Sequence, residues 1–457
     1  MKKFSYDDVV AATGGTPVNS DRVVRKITNV TMDSRKVTQG SLFVAIKGER
    51  VDGHDFIKEV FTKGAAAVLC DHVPEGIFGP CIVVENTVKG LQEVARWYRS
   101  TLDVKVVGIT GSVGKTSTKE MVAAVLAEKF RVLKTIGNYN NEIGLPLTVL
   151  SIEEDTEIAV LEMGISDFGE MRVLSRIACP DICVITNIGQ CHLEFLHDRD
   201  GILKAKSEIF EFMNPAGRIY LNGDDDKLVT VRDVNGITPT FFGLKDTNDV
   251  YPAIKESMGL GGTKMRISLR GTLFDAEIHM LGDHMVSNAM AASAIASDLG
   301  MDRNQIAAGL YTAKTIDGRS NLIPKGTGYI IDDCYNASPA SMMAALDMLN
   351  LATGRKVAIL GDMFELGPDS DNMHAAVGRY AVSIGINKLI CVGENCRHMY
   401  SAALKEKGTT GLGYYNDLES LIMNLKIEIK EGDNVLVKSS HGMGFSKLVE
   451  ALKELQL

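Results

Sequence analysis

Nowhere in the 457 residues do 18 apolar residues run consecutively, so no membrane-spanning helix is expected. The opening Met1-Lys2-Lys3-Phe4-Ser5-Tyr6-Asp7-Asp8 lacks the apolar core of a secretory signal. A basic excess is missing too: 49 basic residues against 58 acidic leave −9, which argues against a nucleic-acid binder. Aromatics are scarce, with one tryptophan, and Trp97 reads as a core anchor on an amphipathic helix over Thr87–Ser100. The eight cysteines lack a metal framework. Cys179 with Cys183, and Cys391 with Cys396, are loosely ligand-spaced, but no second pair stands near either. They read as reduced, small hydrophobes. What is left is a cytoplasmic, soluble chain of roughly two to four domains.

What is present is concentrated between Val104 and Thr118. A β-branched strand over 104–109 feeds Thr110-Gly111-Ser112-Val113-Gly114-Lys115-Thr116, and a helix is expected from about Ser117. Backbone N–H groups, a helix N-terminus and a lysine then surround one anion, which suits a nucleotide polyphosphate. Lys115 would reach the β/γ-phosphates and the Thr116 hydroxyl a magnesium ion. The spacing is unusual, since Ile109 stands where the Walker pattern places its first glycine. The strand before the turn and the helical run over 119–129 after it favour phosphate binding over a plain βα turn.

Around this loop the chain alternates strand and helix. Residues 1–102 read as a small α/β unit with strands over 41–46, 65–70 and 81–85 and a helix over 55–63. From 103 to 316, strands over 104–109, 158–162, 182–187 and 219–221 imply parallel βαβ units. Residues 241–277 turn to short alternating, glycine-bearing segments and read as a small antiparallel insertion, followed by an alanine-rich helix over 287–299. Residues 315–319 read as a hinge. Strands over 328–333, 356–360, 388–392 and 434–437 then make 317–457 a doubly wound region.

Open α/β sheets bind ligands at the carboxyl ends of their strands, where several polar residues fall. Glu162 closes an apolar strand, a place where a carboxylate wants a cation or a donor. His192 follows the strand over 182–187 and is either a metal ligand beside Glu162 or a loop histidine bonded to backbone; magnesium favours oxygen. Lys204 and Lys206, on a helix expected over 200–213, read as solvated partners of Glu208 or Glu211. Asn138, Asn140 and Asn141 either bind a polar ligand or favour their turn. Asp332, Asp333, Tyr335 and Asn336 would suit a ribose and a base, or an acidic turn closed by Pro339. Polar segments over 361–367 and 438–442 repeat the theme after later strands.

Asp33-Ser34-Arg35, Gly53-His54-Asp55-Phe56, the loop 111–116 and the segment 137–146 open a series of blocks that continues with Glu162-Met163-Gly164 and Thr186-Asn187-Ile188-Gly189. Ala205-Lys206-x-Glu208-Ile209, Asn222-Gly223-Asp224-Asp225, Asn288, Arg319, 332–339, 361–367 and 438–442 complete it. In that order, over nearly the whole length, they resemble the Mur ligases. The resemblance implies an α/β fold of three domains: a central P-loop parallel-sheet ATPase domain (103–316) flanked by a small N-terminal α/β domain for a UDP-sugar (1–102) and a C-terminal Rossmann-like domain (317–457). It implies ATP and Mg2+ as cofactors. Thr110, Gly111, Ser112, Val113, Gly114, Lys115, Thr116, Ser117, Asn288, Arg319, Asp333, Tyr335 and Asn336 would bind ATP.

The same resemblance implies Lys115, Glu162, His192 and Lys206 as catalytic residues. Thr116, Glu162, His192 and a carbamylated Lys206 would hold the metal, and Ser34, Arg35, Asn138, Asn140 and Asn141 the acceptor. Within the family, the acceptor expected is UDP-N-acetylmuramoyl-tripeptide and the amine D-alanyl-D-alanine, joined through an acyl phosphate. Asp-Asn-Pro-Arg, the diaminopimelate signature of the neighbouring ligase, is absent. Departures are Cys191 for alanine, Cys334 for serine, Ser439 for glycine and His441 for arginine, the last two at the amine end. No nucleic acid, no membrane insertion and a monomer are expected. The alternatives are another Mur-type or folylpolyglutamate-like ligase, or a P-loop switch; no Asn-Lys-x-Asp guanine-reading element appears.

Overall fold

A computed structural model describes residues 1–20, 26–191, 193–406 and 408–456. Among them the chain forms three sheets, of five, nine and six strands. The first runs in the order Thr16–Val18, Cys81–Val83, Ala67–Cys70, Ser41–Val44, Asn29–Thr31 and is parallel except at Thr16–Val18. Ser41–Val44 and Ala67–Cys70 are buried at every position, the pattern of parallel strands covered on both faces. The helix Thr87–Ser100 lies where its periodicity puts it. Trp97 on it is half-buried, edge-on to Phe4 at 5.5 Å. The helix expected over 55–63 is split, because Asp52 caps a 3-10 turn at Gly53–Phe56 before the α-helix Ile57–Thr62 begins.

The central sheet begins at one edge with Val132–Lys134, then Ile158–Glu162, Lys105–Thr110, Ile182–Ile185, Arg218–Asn222 and Thr240–Phe242. All these pairings are parallel. The segment expected as a small antiparallel insertion extends this sheet. Val250–Ser257 joins in parallel through Phe242 and Val250, and Thr263–Leu269 and Thr272–Ile278 follow antiparallel. Met265, Ile267, Leu269 and Ile278 bury into one core with Tyr220, Phe242 and the helix Asp283–Asp298. The change of periodicity marks where strands turn antiparallel, and the shared core decides that the sheet continues.

The third sheet runs Asn321–Lys325, Gly328–Asp332, Asn434–Lys438, Lys356–Gly361, Lys388–Val392, Gly411–Tyr415. It is parallel except for Asn321–Lys325, an antiparallel edge strand that periodicity did not suggest. That strand contains Pro324, which has no N–H to donate and is tolerated at a sheet edge.

Several contacts tie the units together, among them those of Tyr98 and Leu281. The buried Tyr98 accepts from Lys2 N at 2.7 Å and donates to Ile152 O at 2.6 Å, linking the first unit to the central one. Leu281, just before the helix Asp283–Asp298, packs into the core of the third sheet. Burial holds the Tyr98 hydroxyl at about 12, so it stays a donor throughout the physiological range. Tyr98→Phe leaves the Ile152 carbonyl without its donor, and we expect a loss of about 1–3 kcal/mol. A lower urea midpoint with an unchanged slope is the measurement that checks it.

Candidate active site

Ile109, the residue in place of the missing glycine, is fully buried in the central core, and the close approach is made by Gly111 instead. A Cβ on Gly111 would lie 1.9 Å from the Thr186 hydroxyl, and its φ is +151°. Gly114, at φ +82°, starts the helix Lys115–Ala127, two residues earlier than expected. The loop between them is braced from the next strand. Thr186 Oγ1 donates to Val113 O at 2.6 Å, Val113 N to Asn187 Oδ1 at 3.0 Å, and Ser112 N to Asn187 O at 3.1 Å. The first turn of the helix has no intrahelical acceptors for its N–H groups, so Lys115, Thr116 and Ser117 aim donors at the loop mouth. Lys115 folds its ammonium onto Gly111 O at 2.8 Å and Ser112 O at 3.4 Å. Loss of solvent around this group lowers its pKa, Arg319 adds to that, and Glu162 opposes it.

Glu162, 2 % exposed, is the centre of the polar cluster. Its Oε1 accepts from the Thr116 hydroxyl at 3.2 Å and from Asn140 Nδ2 at 2.8 Å, while its N–H donates to Thr135 Oγ1 at 3.0 Å. Its Oε2 is buried with no hydrogen bond. A buried acceptor left without a donor costs about 1–3 kcal/mol, and a free carboxylate oxygen, with the Thr116 hydroxyl at the other oxygen of the same group, is what a hard cation takes. The residues present therefore fit magnesium.

Lys206 corrects the expectation made for it. It is 1 % exposed, and burial, with a smaller contribution from Lys115, pushes its pKa down to about 7. Lys204 is the exposed one, over the Phe168 ring at 5.9 Å. Two residues apart on a helix face nearly opposite ways, so one lysine turns inward. Glu208 and Glu211 pair with neither. Glu208 accepts from Gly169 N at 3.0 Å, and Glu211 accepts from Arg172 at 2.6 and 2.9 Å. The helix Arg199–Ser207 ends sooner than expected and passes into a 3-10 turn, Glu208–Phe210. His192 lies outside the described residues. The chain before it is clamped, with Ile188 N donating to Asp225 Oδ2 and Arg199 Nε to Ile188 O, both at 2.8 Å.

From the other side, the hinge carries Arg319 in. Its guanidinium lies 3.8 Å over the Tyr335 ring, and its Nε is buried without an acceptor. The two carboxylates beside it are occupied. Asp332 Oδ2 accepts from Gly318 N at 2.9 Å, and Asp333 accepts from Ser320 N at 2.9 Å and Lys438 Nζ at 2.6 Å. Lys438 also donates to Asn336 O at 2.9 Å. Pro339 begins the helix Pro339–Asn350 behind a Ser338 capping box. Asn288 reaches the loop helix, its Oδ1 2.9 Å from Thr118 Oγ1.

The acceptor candidates separate. Asn140 belongs to the Glu162 cluster, Asn141 accepts from Gly144 N at 2.8 Å and shapes the turn, and Asn138 is exposed. Ser34 and Arg35 sit on a 3-10 turn capped by Asp33. Arg35 pairs with that carboxylate at 2.8 Å and holds its pKa at about 2. Among the described residues, two other clusters have ligand-type side chains. His54 and His72 stack nearly parallel at 4.4 Å beside Asp71, so no single ion lies in both ring planes. His374, near Asp362 and Cys396, has both ring nitrogens taken by Met363 N and Ser370 O. Sequence reasoning missed Lys119 and Thr135, which look like ordinary helix and strand residues until the fold sets them against Glu162.

Comparison with known proteins identifies the family and the fold. Residues 26–106 match the model "Mur ligase family, catalytic domain", 109–296 "Mur ligase middle domain", and 318–441 "Mur ligase, glutamate ligase domain". The chain is 38 % identical to the UDP-N-acetylmuramoyl-tripeptide--D-alanyl-D-alanine ligase of Bacillus subtilis, over 100 % of both chains. Crystal structure I of MurF from Acinetobacter baumannii superposes with a TM-score of 0.90 at 31 % identity, covering 100 % of both. MurF ligase from Thermotoga maritima in complex with ADP superposes with a TM-score of 0.83 at 30 % identity, covering 93 % of this chain and 97 % of that one. With matches along its length and a relative aligned end to end, this chain belongs to the Mur ligase family.

Proposed function

We infer that this chain is an ATP-dependent amide ligase that joins D-alanyl-D-alanine to UDP-N-acetylmuramoyl-tripeptide, giving ADP, phosphate and the pentapeptide precursor of peptidoglycan. One observation carries the chemistry: a phosphate-cradling loop stands against a buried carboxylate whose second oxygen has no donor. The substrates follow from end-to-end similarity to an enzyme that bears their names.

Lys115 and the loop N–H groups neutralise charge as the γ-phosphoryl group passes to the terminal carboxylate of the tripeptide. The free amine of D-alanyl-D-alanine attacks the carbonyl carbon of the acyl phosphate. A C–N bond forms, the C–O bond to phosphate breaks, and the amine gives up a proton. Arg319, with its free Nε, takes a phosphate oxygen from across the hinge. Acyl phosphates are water-labile, so closure about 315–319 precedes transfer.

Thr116 and Glu162, with His192 and Lys206 as its carbamate, would hold magnesium, which supplies positive charge beside the phosphates. Lowering Lys206 to about 7 favours the neutral amine, the form that takes up CO2 and becomes an oxygen ligand. Asn288, Asp333, Tyr335 and Asn336 are assigned to adenosine. Lys438 fixes this strand end, donating to the Asp333 carboxylate and to the Asn336 backbone carbonyl.

Residues 1–102, with Ser34 and Arg35, are assigned to the UDP-sugar, 103–316 to ATP and 317–457 to the dipeptide. A cavity of about 300 Å³ at the carboxyl ends of the third sheet, lined by Asp362, Glu394, Asp417 and Lys447, offers carboxylates for an ammonium and a lysine for a carboxylate. No described helix is long and apolar enough to cross a membrane. Its nucleotide substrates assign the reaction to the cytoplasm.

Phosphate release with ATP and magnesium is expected to need both the tripeptide and the dipeptide; release needing neither would turn the assignment to an ATP-driven switch. Lys115→Ala is expected to lower turnover by about 10²–10³-fold. In a separate test, ¹³C-bicarbonate should give a carbamate carbon signal in the native protein and none in Lys206→Ala. An unlabelled native protein would remove Lys206 from the metal site.

A further inference from the structure

Lys119 is a buried charge that the reaction as described does not use. It lies one turn after Lys115 on the helix Lys115–Ala127 and is 1 % exposed. Taking an ammonium out of water is expensive unless it is paired and hydrogen-bonded. Here it donates to Thr135 O at 2.7 Å, lies 3.1 Å from Glu120 Oε1 and 3.8 Å from Glu162 Oε2. Glu120 is buried as well and pairs on its far side with Lys134.

Three features separate this from an ordinary buried ion pair. Lys119 faces the one oxygen of Glu162 that no donor reaches, whereas Thr116 and Asn140 both serve the other oxygen. The separation of 3.8 Å exceeds hydrogen-bond range, so the charge attracts Oε2 without occupying its lone pair. Thr135 ties the two residues to one point, accepting from Lys119 on its carbonyl and from Glu162 N on its hydroxyl.

We propose that Lys119 is a positioning residue that aims the free oxygen of Glu162 at the nucleotide-bound magnesium, with Thr135 as the shared anchor and Glu120 as the counter-charge that keeps Lys119 from closing on Glu162. This rests on the assignment of magnesium to Glu162. Groups behind a ligand that fix its orientation typically alter metal affinity by about 10–100-fold when removed.

The test is Mn2+ binding to the ADP complex, read by the EPR signal of free Mn2+, beside metal-free ADP binding by calorimetry. Lys119→Met is expected to weaken Mn2+ binding by about 10-fold or more and to leave metal-free ADP affinity within about twofold. Because Lys119→Met strands Glu120, the double variant Lys119→Met/Glu120→Gln removes both charges and is expected to show the same loss in a folded protein. Mn2+ affinity unchanged in the double variant but lost in Glu162→Gln overturns the proposal alone. Affinity unchanged in Glu162→Gln as well overturns the metal assignment beneath it. Parallel loss of Mn2+ and metal-free ADP binding makes Lys119 structural and overturns the proposal too.

Discussion

No side chain fits at Gly111, and that close approach sets the geometry of the rest of the site. Because the loop backbone lies against the Thr186 hydroxyl, the end of Lys105–Thr110 and the end of Ile182–Ile185 act as one rigid rim. Thr186 and Asn187 then take up the loop's polar groups, so the N–H donors left over are those at the start of the helix Lys115–Ala127. Everything that approaches the phosphate position, including Lys115, Glu162 and Arg319, is placed relative to this rim. The familiar first glycine is not needed for it: Ile109 serves the core, and Gly111 supplies the approach.

Around the rim, charge is buried at a density that packing alone does not explain. Glu162, Lys119 and Lys206 are each at most 2 % exposed. The groups are arranged in order of how fully they are compensated. Lys119 has a carbonyl and two carboxylates, Glu162 has donors on one oxygen, and Lys206 has no bond or pair to a described residue and bears a pKa near 7. Incomplete compensation marks the groups with most to gain when a ligand arrives.

The hinge has the opposite character. Asp332, Asp333 and Lys438 are buried and mutually satisfied, binding Gly318 and Ser320 to the third sheet. Only Arg319 between them is left with a free buried nitrogen. A satisfied frame on both sides of one cation fixes that cation's place on the third unit. Its rigidity comes from the same acidic pair that sequence reading offered to a ribose.

The sequence by itself determined the strand–loop–helix at 104–118, the three α/β regions and the order of the blocks, since these depend on neighbours in the chain. Apolar runs, glycines at fixed offsets and an amphipathic period are local, and the helix Thr87–Ser100 and strand Ile158–Glu162 fall where they point. Tertiary structure alone decided which way a charge faces. Lys204 and Lys206 read alike on a helix, yet packing turns one to water and the other inward. Asn140 and Asn141 are neighbours, yet one reaches Glu162 and the other closes its own turn. The hairpins over 250–278 joined the central sheet because a shared core was there to receive them. Lys119, Thr135 and Glu162 are separated by 16 and 27 residues in the chain and meet only when parallel strands bring their ends together, a long-range proximity that no local pattern encodes.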